Sequence, residues 1–153
     1  MPQSVSICTV IGLKSVIGEK YTWTFEELYD TYERSGANTL FYSQTPEQVL
    51  KELLFQSFSH FANYSTGNVN FESEEFISLL NFSKYCSGNT SDYDDDELTC
   101  LRKKEILLMP VLLSRFDQYT EISEKLDGDL IFVGYPDAGG STLYLNNPVA
   151  IMS

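Results

Sequence analysis

The chain is poor in histidine and cysteine, two of the side chains that acid–base, nucleophilic and metal chemistry draws on. Its 153 residues include one histidine, His60, and three cysteines, Cys8, Cys86 and Cys100. His60 falls inside a Phe-rich stretch of helical period, which reads as a packed or partly exposed side chain rather than a base. The cysteines are odd in number and lack metal-site spacing. Cys86 and Cys100 flank a polar loop and could pair in an oxidising compartment; buried free thiols are the other reading. Basic charge is also scarce, with 10 Lys and Arg against 22 Asp and Glu and a net charge of −12. That surface repels phosphate backbones and anionic membranes, so nucleic acid is an unsuitable partner. No apolar run reaches the roughly 18 residues of a membrane span. Met1 to Val10 carries no basic region and no cleavage pattern, so the expectation is a cytosolic protein or a mature or excised piece. There is no Gly-x-Ser-x-Gly elbow, no P-loop and no dinucleotide fingerprint.

What is present is a globular composition. Hydrophobic residues make up 42% and aromatics 14%, with ten Tyr and ten Phe. The length suits one domain with a real core, taken as 1–153.

The chain is best read around Asp129 to Ser141. Leu130 to Val133 is a short apolar run, the pattern of a strand buried on both faces as in a parallel sheet. Gly134 ends it, Pro136 cannot extend a ladder, and Gly139 and Gly140 follow in a loop. Open α/β sheets hold ligands just beyond the carboxyl ends of their strands, which makes this loop a place to look for a site.

In order along the chain, Ser4 to Ile11 suits a strand, and Gly12 and Gly18 bracket a loop or hairpin. Thr24 with Glu27 forms a capping box for a helix carrying Phe25, Leu28, Tyr29 and Tyr32 and closing at Gly36. Trp23 is expected to pack on that helix's first turn. Thr39 to Tyr42 is β-prone. Thr45, Pro46 and Gln48 then make a strong helix start, followed by Val49, Leu50, Leu53, Leu54, Phe58 and Phe61. The intervening loop, Ser43 to Glu47, offers hydroxyls, an amide, a carboxylate and helix N-terminal amides to a polar ligand. Val69 and Phe71 suggest a small strand. Glu72, Ser73, Glu74 and Glu75 place negative charge at a helix start, and the helix ends near Gly88. Asp92, Asp94 and Asp96 alternate as in a calcium loop, but Glu97 and Lys103 stand where the glycine and the bidentate acid belong, so a solvated acidic loop is preferred. Leu98 to Lys104 is a short helix. Ile106 to Leu113 reads as a second buried strand, with Pro110 marking an edge, a bulge or an early end. After Ser114, Arg115 and Asp117 comes a helix with Phe116, Tyr119, Ile122 and Leu126 at helical spacing. Thr142 to Leu145 and Val149 to Met152 are further β-prone segments. These strand, polar loop and helix units suit a small-molecule binding lobe better than an enzyme.

Three stretches in order resemble the extracellular solute-binding proteins (family 1) of bacterial ABC sugar importers. They are Thr22-Trp23-Thr24-Phe25-Glu26-Glu27-Leu28, Asn70-Phe71-Glu72-Ser73-Glu74-Glu75-Phe76 with Leu79-Leu80, and Ile131-Phe132-Val133-Gly134-Tyr135-Pro136. Glu72 stands where the family usually has aspartate. The resemblance implies an α/β fold, one lobe of a two-lobed periplasmic-binding-protein-like architecture with a small mixed sheet flanked by helices. It implies the carboxyl-side lobe alone, a carbohydrate or similar neutral polar ligand held in an interlobe cleft, an absent first lobe, and an ABC permease as partner. It further implies an extracellular lipoprotein whose anchor lies upstream, with no membrane insertion of this segment, no cofactor and no catalytic residues. The family's contact places map onto Ser43, Gln44, Thr45 and Glu47, onto Ser114, Arg115 and Phe116, and onto Tyr135 and Asp137. Aromatic faces stack on sugar C–H surfaces, and amides, carboxylates and guanidinium groups pair with hydroxyls. Many members carry Trp where this chain has Phe116, and the expectation for Phe116 is burial in the core. The alternatives are a small glycan-processing enzyme domain using paired carboxylates, which needs two acids within about 10 Å in one cleft, and an interaction module with an exposed aromatic patch and no small ligand.

Overall fold

The computed structural model describes residues 4–88 and 94–146. A single nine-residue strand, β1 (Ser4–Gly12), is the axis of the fold. On one edge it pairs antiparallel with β4 (Met109–Leu113), in a register that sets Ile7 opposite Leu113 and Ile11 opposite Met109. Its other edge is shared end to end. β6 (Thr142–Asn146) runs antiparallel along its first half, and β5 (Ile131–Phe132) along its last two residues. A separate small hairpin joins β2 (Ala62–Asn63) to β3 (Asn68–Val69).

The alternation of β1 divides the core. Val10 points into a large cluster with Trp23, Leu28, Leu53, Phe61, Leu79 and Val133. Ile11 points the other way, into a smaller cluster with Cys100, Leu101, Ile106 and Leu126. A strand covered on both faces is uniformly apolar, as the sequence of β1 is at its end. The first face is covered by α2 (Phe25–Ser35), α3 (Pro46–Phe61) and α4 (Glu74–Tyr85). On the second face lie α5 (Glu97–Arg102) and the end of α6 (Phe116–Lys125).

The expected capping boxes are present at Thr24 with Glu27 and at Thr45 with Gln48, and Gly36 closes α2 in the left-handed conformation. Ser73 caps α4 through its hydroxyl. Trp23 is buried against this core, as expected, and its indole N–H donates to the Gly134 carbonyl at 2.9 Å.

Several expectations are corrected. The ladders around β1 are antiparallel; among the described residues parallel pairing comes down to one bridge, Thr39 to Ile106. Thr39 to Tyr42 is therefore not a strand. Its backbone is held between two segments instead, with Leu40 N–H on the Cys86 carbonyl and Leu108 N–H on the Leu40 carbonyl. The second buried strand begins at Met109 rather than Ile106, and Pro110 sits on an edge strand, where a missing N–H costs no ladder bond. The segment between Gly12 and Gly18 holds a short helix, α1 (Lys14–Ile17). Cys86 and Cys100 are buried free thiols. The acidic loop lies partly, and Val149 to Met152 wholly, outside the described residues.

Candidate functional site

The three candidate places meet different fates. Ser43 to Glu47 serves first as the N-terminal cap of α3. Thr45 Oγ1 accepts from Gln48 N–H, and Gln48 Oε1 accepts from Thr45 N–H. Ser43 takes a positive φ of 50°, and the Gln44 carbonyl accepts from Gly88 N–H at 3.1 Å. Hydrogen bonding from Thr45 holds the exposed Glu47 carboxyl below the usual range. Glu47 also sits at the end of a groove of about 570 Å³ along the outer face of α3, with Leu50, Lys51, Leu54, Phe55, Phe58 and Tyr64.

Tyr135 and Asp137 are built into the framework. Tyr135 is buried, and its hydroxyl donates to Glu52 Oε1 of α3. Burial, then the adjacent Glu52 carboxylate, push its ionisation far above the tyrosine range. Beside it the Pro136 carbonyl accepts from Ser57 Oγ, and Gln56 Nε2 lies 3.5 Å from the sulfur of Cys8. Asp137 Oδ2 accepts from Phe25 N–H at 2.9 Å, and Asp137 N–H donates to the Trp23 carbonyl at 2.9 Å. This locks the loop after β5 onto the start of α2. Gly134 permits it: its φ is +74°, and a Cβ there would lie 2.3 Å from the Gly140 carbonyl carbon. Asp137 still faces solvent in a depression of about 460 Å³ whose wall includes Phe25, Tyr29 and the helix-start acids Glu26, Glu74 and Glu75.

Ser114, Arg115 and Phe116 do come together. They line an open groove of about 550 Å³ with Ile7, Leu113, Tyr119, Phe132 and Ser141. It lies where β4 leaves the sheet and α6 begins. Phe116 corrects the core expectation, being 79% exposed. Its ring is 5.5 Å from Tyr119, which stacks at 5.6 Å on Phe132. Hydroxyls border this apolar wall. Ser6 and Ser114 share a 2.7 Å hydrogen bond, and Ser141 Oγ donates to Thr9 Oγ1 at 2.7 Å.

The helical stripe explains the error. Exposure falls along it from Phe116 at 79% through Tyr119 at 36% to Leu126 at 2%. The row has the period of a core face, but only its C-terminal half reaches the core. Ile7, Tyr119, Phe132 and Ser141 were not among the sequence candidates. Tyr119 was visible one helical turn from Phe116. Ile7 shares the alternating face of buried Ile11 yet is partly exposed, and strand alternation does not reveal how far along a face the cover reaches.

His60, as expected, is a partly exposed side chain. It lies on the surface of α3 with Nε2 3.2 Å from Glu75 Oε2, its ring edge-on to Phe61. Among the described residues no cluster of three or more His, Cys, Asp or Glu could hold a metal. No helix there is long and apolar enough to cross a membrane.

No protein-family model matches the chain, and no curated protein does. Solved structures do. One is an ABC transporter solute-binding protein from Thermotoga lettingae TMO bound with alpha-D-tagatose, at 15% identity and TM-score 0.51, covering 94% of this chain and 43% of that one. A chitin oligosaccharide binding protein matches at 13% identity and TM-score 0.56, over 94% of this chain and 42% of that one. The GacH receptor of Streptomyces glaucescens GLA.O, solved unliganded and with acarbose and an acarbose homolog, matches at 18% identity and TM-score 0.50, over 94% and 41%. The chain thus spans about two fifths of the length of the structures it matches. At these identities the likeness is one of fold, a small sheet flanked by helices as in part of a solute-binding protein.

Proposed function

We propose that this chain is the carboxyl-side lobe of a two-lobed, sugar-type solute-binding protein, and that it takes a neutral carbohydrate in the groove at the start of α6. The observation that carries the reading is Phe116, an aromatic face exposed in a groove and continued by Tyr119 and Phe132. Large aromatic rings left in water beside hydroxyls suit the mixed apolar and polar faces of a pyranose. The fold shared with sugar-binding proteins supports it. Ser114 and Arg115 supply polar contacts in this groove; Glu47 and Asp137 open onto separate depressions, and Ser43, Gln44 and Thr45 belong to the turn that caps α3. Tyr135 acts from behind, by fixing the loop that ends at Ser141. A companion lobe completes the cleft, and the whole serves an ABC permease outside the cell, held by a lipid anchor upstream of this segment. The lobe alone binds weakly, since half the contacts and the closure are missing.

The test is a thermal-shift screen of the chain, with its flanking sequence restored, against neutral oligosaccharides. A rise in Tm for one sugar class, abolished by Phe116→Ala, supports the reading. Release of reducing sugar moves the assignment to a glycan-processing domain. Neither shift nor turnover favours the interaction-module reading, for which the exposed Phe55 and Tyr64 beside α3 are the observation.

A further inference from the structure

We propose that Asp117, with Gln118 beside it, sets the charge selectivity of this groove by occupying from within what would otherwise be an anion site. The inference rests on the groove being the binding site, and goes beyond it in naming the residues that turn acidic ligands away. The start of α6 has the parts of an anion site: a guanidinium, the amides of a first turn and the positive end of a ten-residue helix. The guanidinium, the Ser114 and Arg115 amides that lead into the helix and the first-turn amide of Gln118 are already engaged. Asp117 grips Arg115 through both carboxylate oxygens, Nε to Oδ1 at 3.1 Å and Nη2 to Oδ2 at 2.9 Å. Gln118 Oε1 accepts from both Ser114 N–H at 2.8 Å and Arg115 N–H at 3.1 Å. Gln118 N–H in turn bonds Asp117 Oδ1 at 3.0 Å. Among the described residues Arg115 is the single charged one of the groove wall, so its neutralisation leaves that wall with no net charge. The pair is exposed and contributes little to stability, so its consequence lies in what the groove attracts.

Two titrations of the full chain at constant, low ionic strength test this, followed by amide chemical shifts at residues 114–118. In the first, inorganic sulfate is added to the wild type, to Asp117→Asn, which keeps the shape and the acceptor for Gln118, and to Gln118→Ala. The expected result is little binding to the wild type and about fivefold tighter binding to Asp117→Asn, the size of one exposed unit charge at short range, fading as salt is raised. Equal sulfate affinity in wild type and Asp117→Asn, or a gain independent of salt, overturns the proposal. The second compares a neutral trisaccharide with a trigalacturonate. Wild-type preference for the neutral sugar that narrows about fivefold in Asp117→Asn supports the charge assignment. Preference unchanged by the substitution overturns it while leaving the groove as the site. Binding of either sugar that Phe116→Ala does not weaken overturns the groove itself.

Discussion

α3 and α6 begin alike in sequence, with an apolar run, a short polar loop, a first-turn acid and an aromatic-bearing stripe, yet the structure uses them in opposite ways. α3 buries Val49, Leu53 and Phe61, and Glu52 and Ser57 tie it to the loop after β5. α6 has no buried residue within its length and is anchored mainly beyond its end, at Leu126. One helix is framework with a cap at its start. The other is a shelf whose first turn overhangs a groove. Sequence period reports that a helix has an apolar face, but not how far along its length that face finds a partner.

The sharpest way to break the comparison is to attack the framework where it has no slack. Gly134 combines a left-handed backbone with backbone atoms in the space a side chain would fill. Gly134→Ala is expected to lose roughly 3 kcal/mol or more, since a strained φ and a clash with main chain add. Denaturant unfolding measures it. An effect below about 1 kcal/mol, within the range of ordinary substitutions, would mean that the loop is not pinned as described.

A middle-sized effect is expected at Tyr135→Phe, about 1–3 kcal/mol, because it strands the Glu52 carboxylate without its donor. The double variant Tyr135→Phe, Glu52→Leu should recover part of the loss by removing the orphaned acceptor as well. No recovery would show that the hydroxyl matters for some other reason.

Alkaline pH probes the same packed side of the molecule. Burial pushes the Cys86 thiol from 9.0 up to about 12. The folded state then holds this proton more tightly than the unfolded chain. Its contribution is whole below pH 9 and is lost as pH rises from about 9 towards 12. The Tm should fall over that window, and less steeply in Cys86→Ala. A parallel slope in the variant would assign the loss to other groups, with Tyr135 and Tyr29, both raised by burial, the next to examine.

How much of this was legible depended on whether the determinant was local. Thr24 with Glu27 and Thr45 with Gln48 announce their helices because a capping box needs four consecutive residues. Trp23 was expected to pack, and it does. The direction of pairing was not legible. Leu130 to Val133 is apolar because helices cover both faces, and that pattern is the same whether its neighbour runs parallel or antiparallel. Asp137 looked free because its partner, the Phe25 amide, is 112 residues away. Tyr135 looked like a site residue because nothing nearby in sequence identifies Glu52 as its acceptor. Phe116 was expected in the core where related proteins carry Trp; it shares the helical period of Tyr119, Ile122 and Leu126, and period does not say which part of that row is covered.

The smallest expected effect is the most discriminating. Phe116→Ala removes a large aromatic side chain, and in a core such a change costs about 3–5 kcal/mol. Here the ring is mostly in water, touching Tyr119 along one side. The expected change in stability is within about 0.5 kcal/mol, as for surface positions generally. Phe61→Ala at the end of α3, where the ring packs among Phe25, His60 and Phe76, should by contrast reach the core figure. A stability loss at Phe116 approaching that at Phe61 would make the ring part of the framework and remove the groove's claim to be a site. A difference of several kcal/mol between the two phenylalanines would place the exposed ring outside the framework, as the proposed site requires.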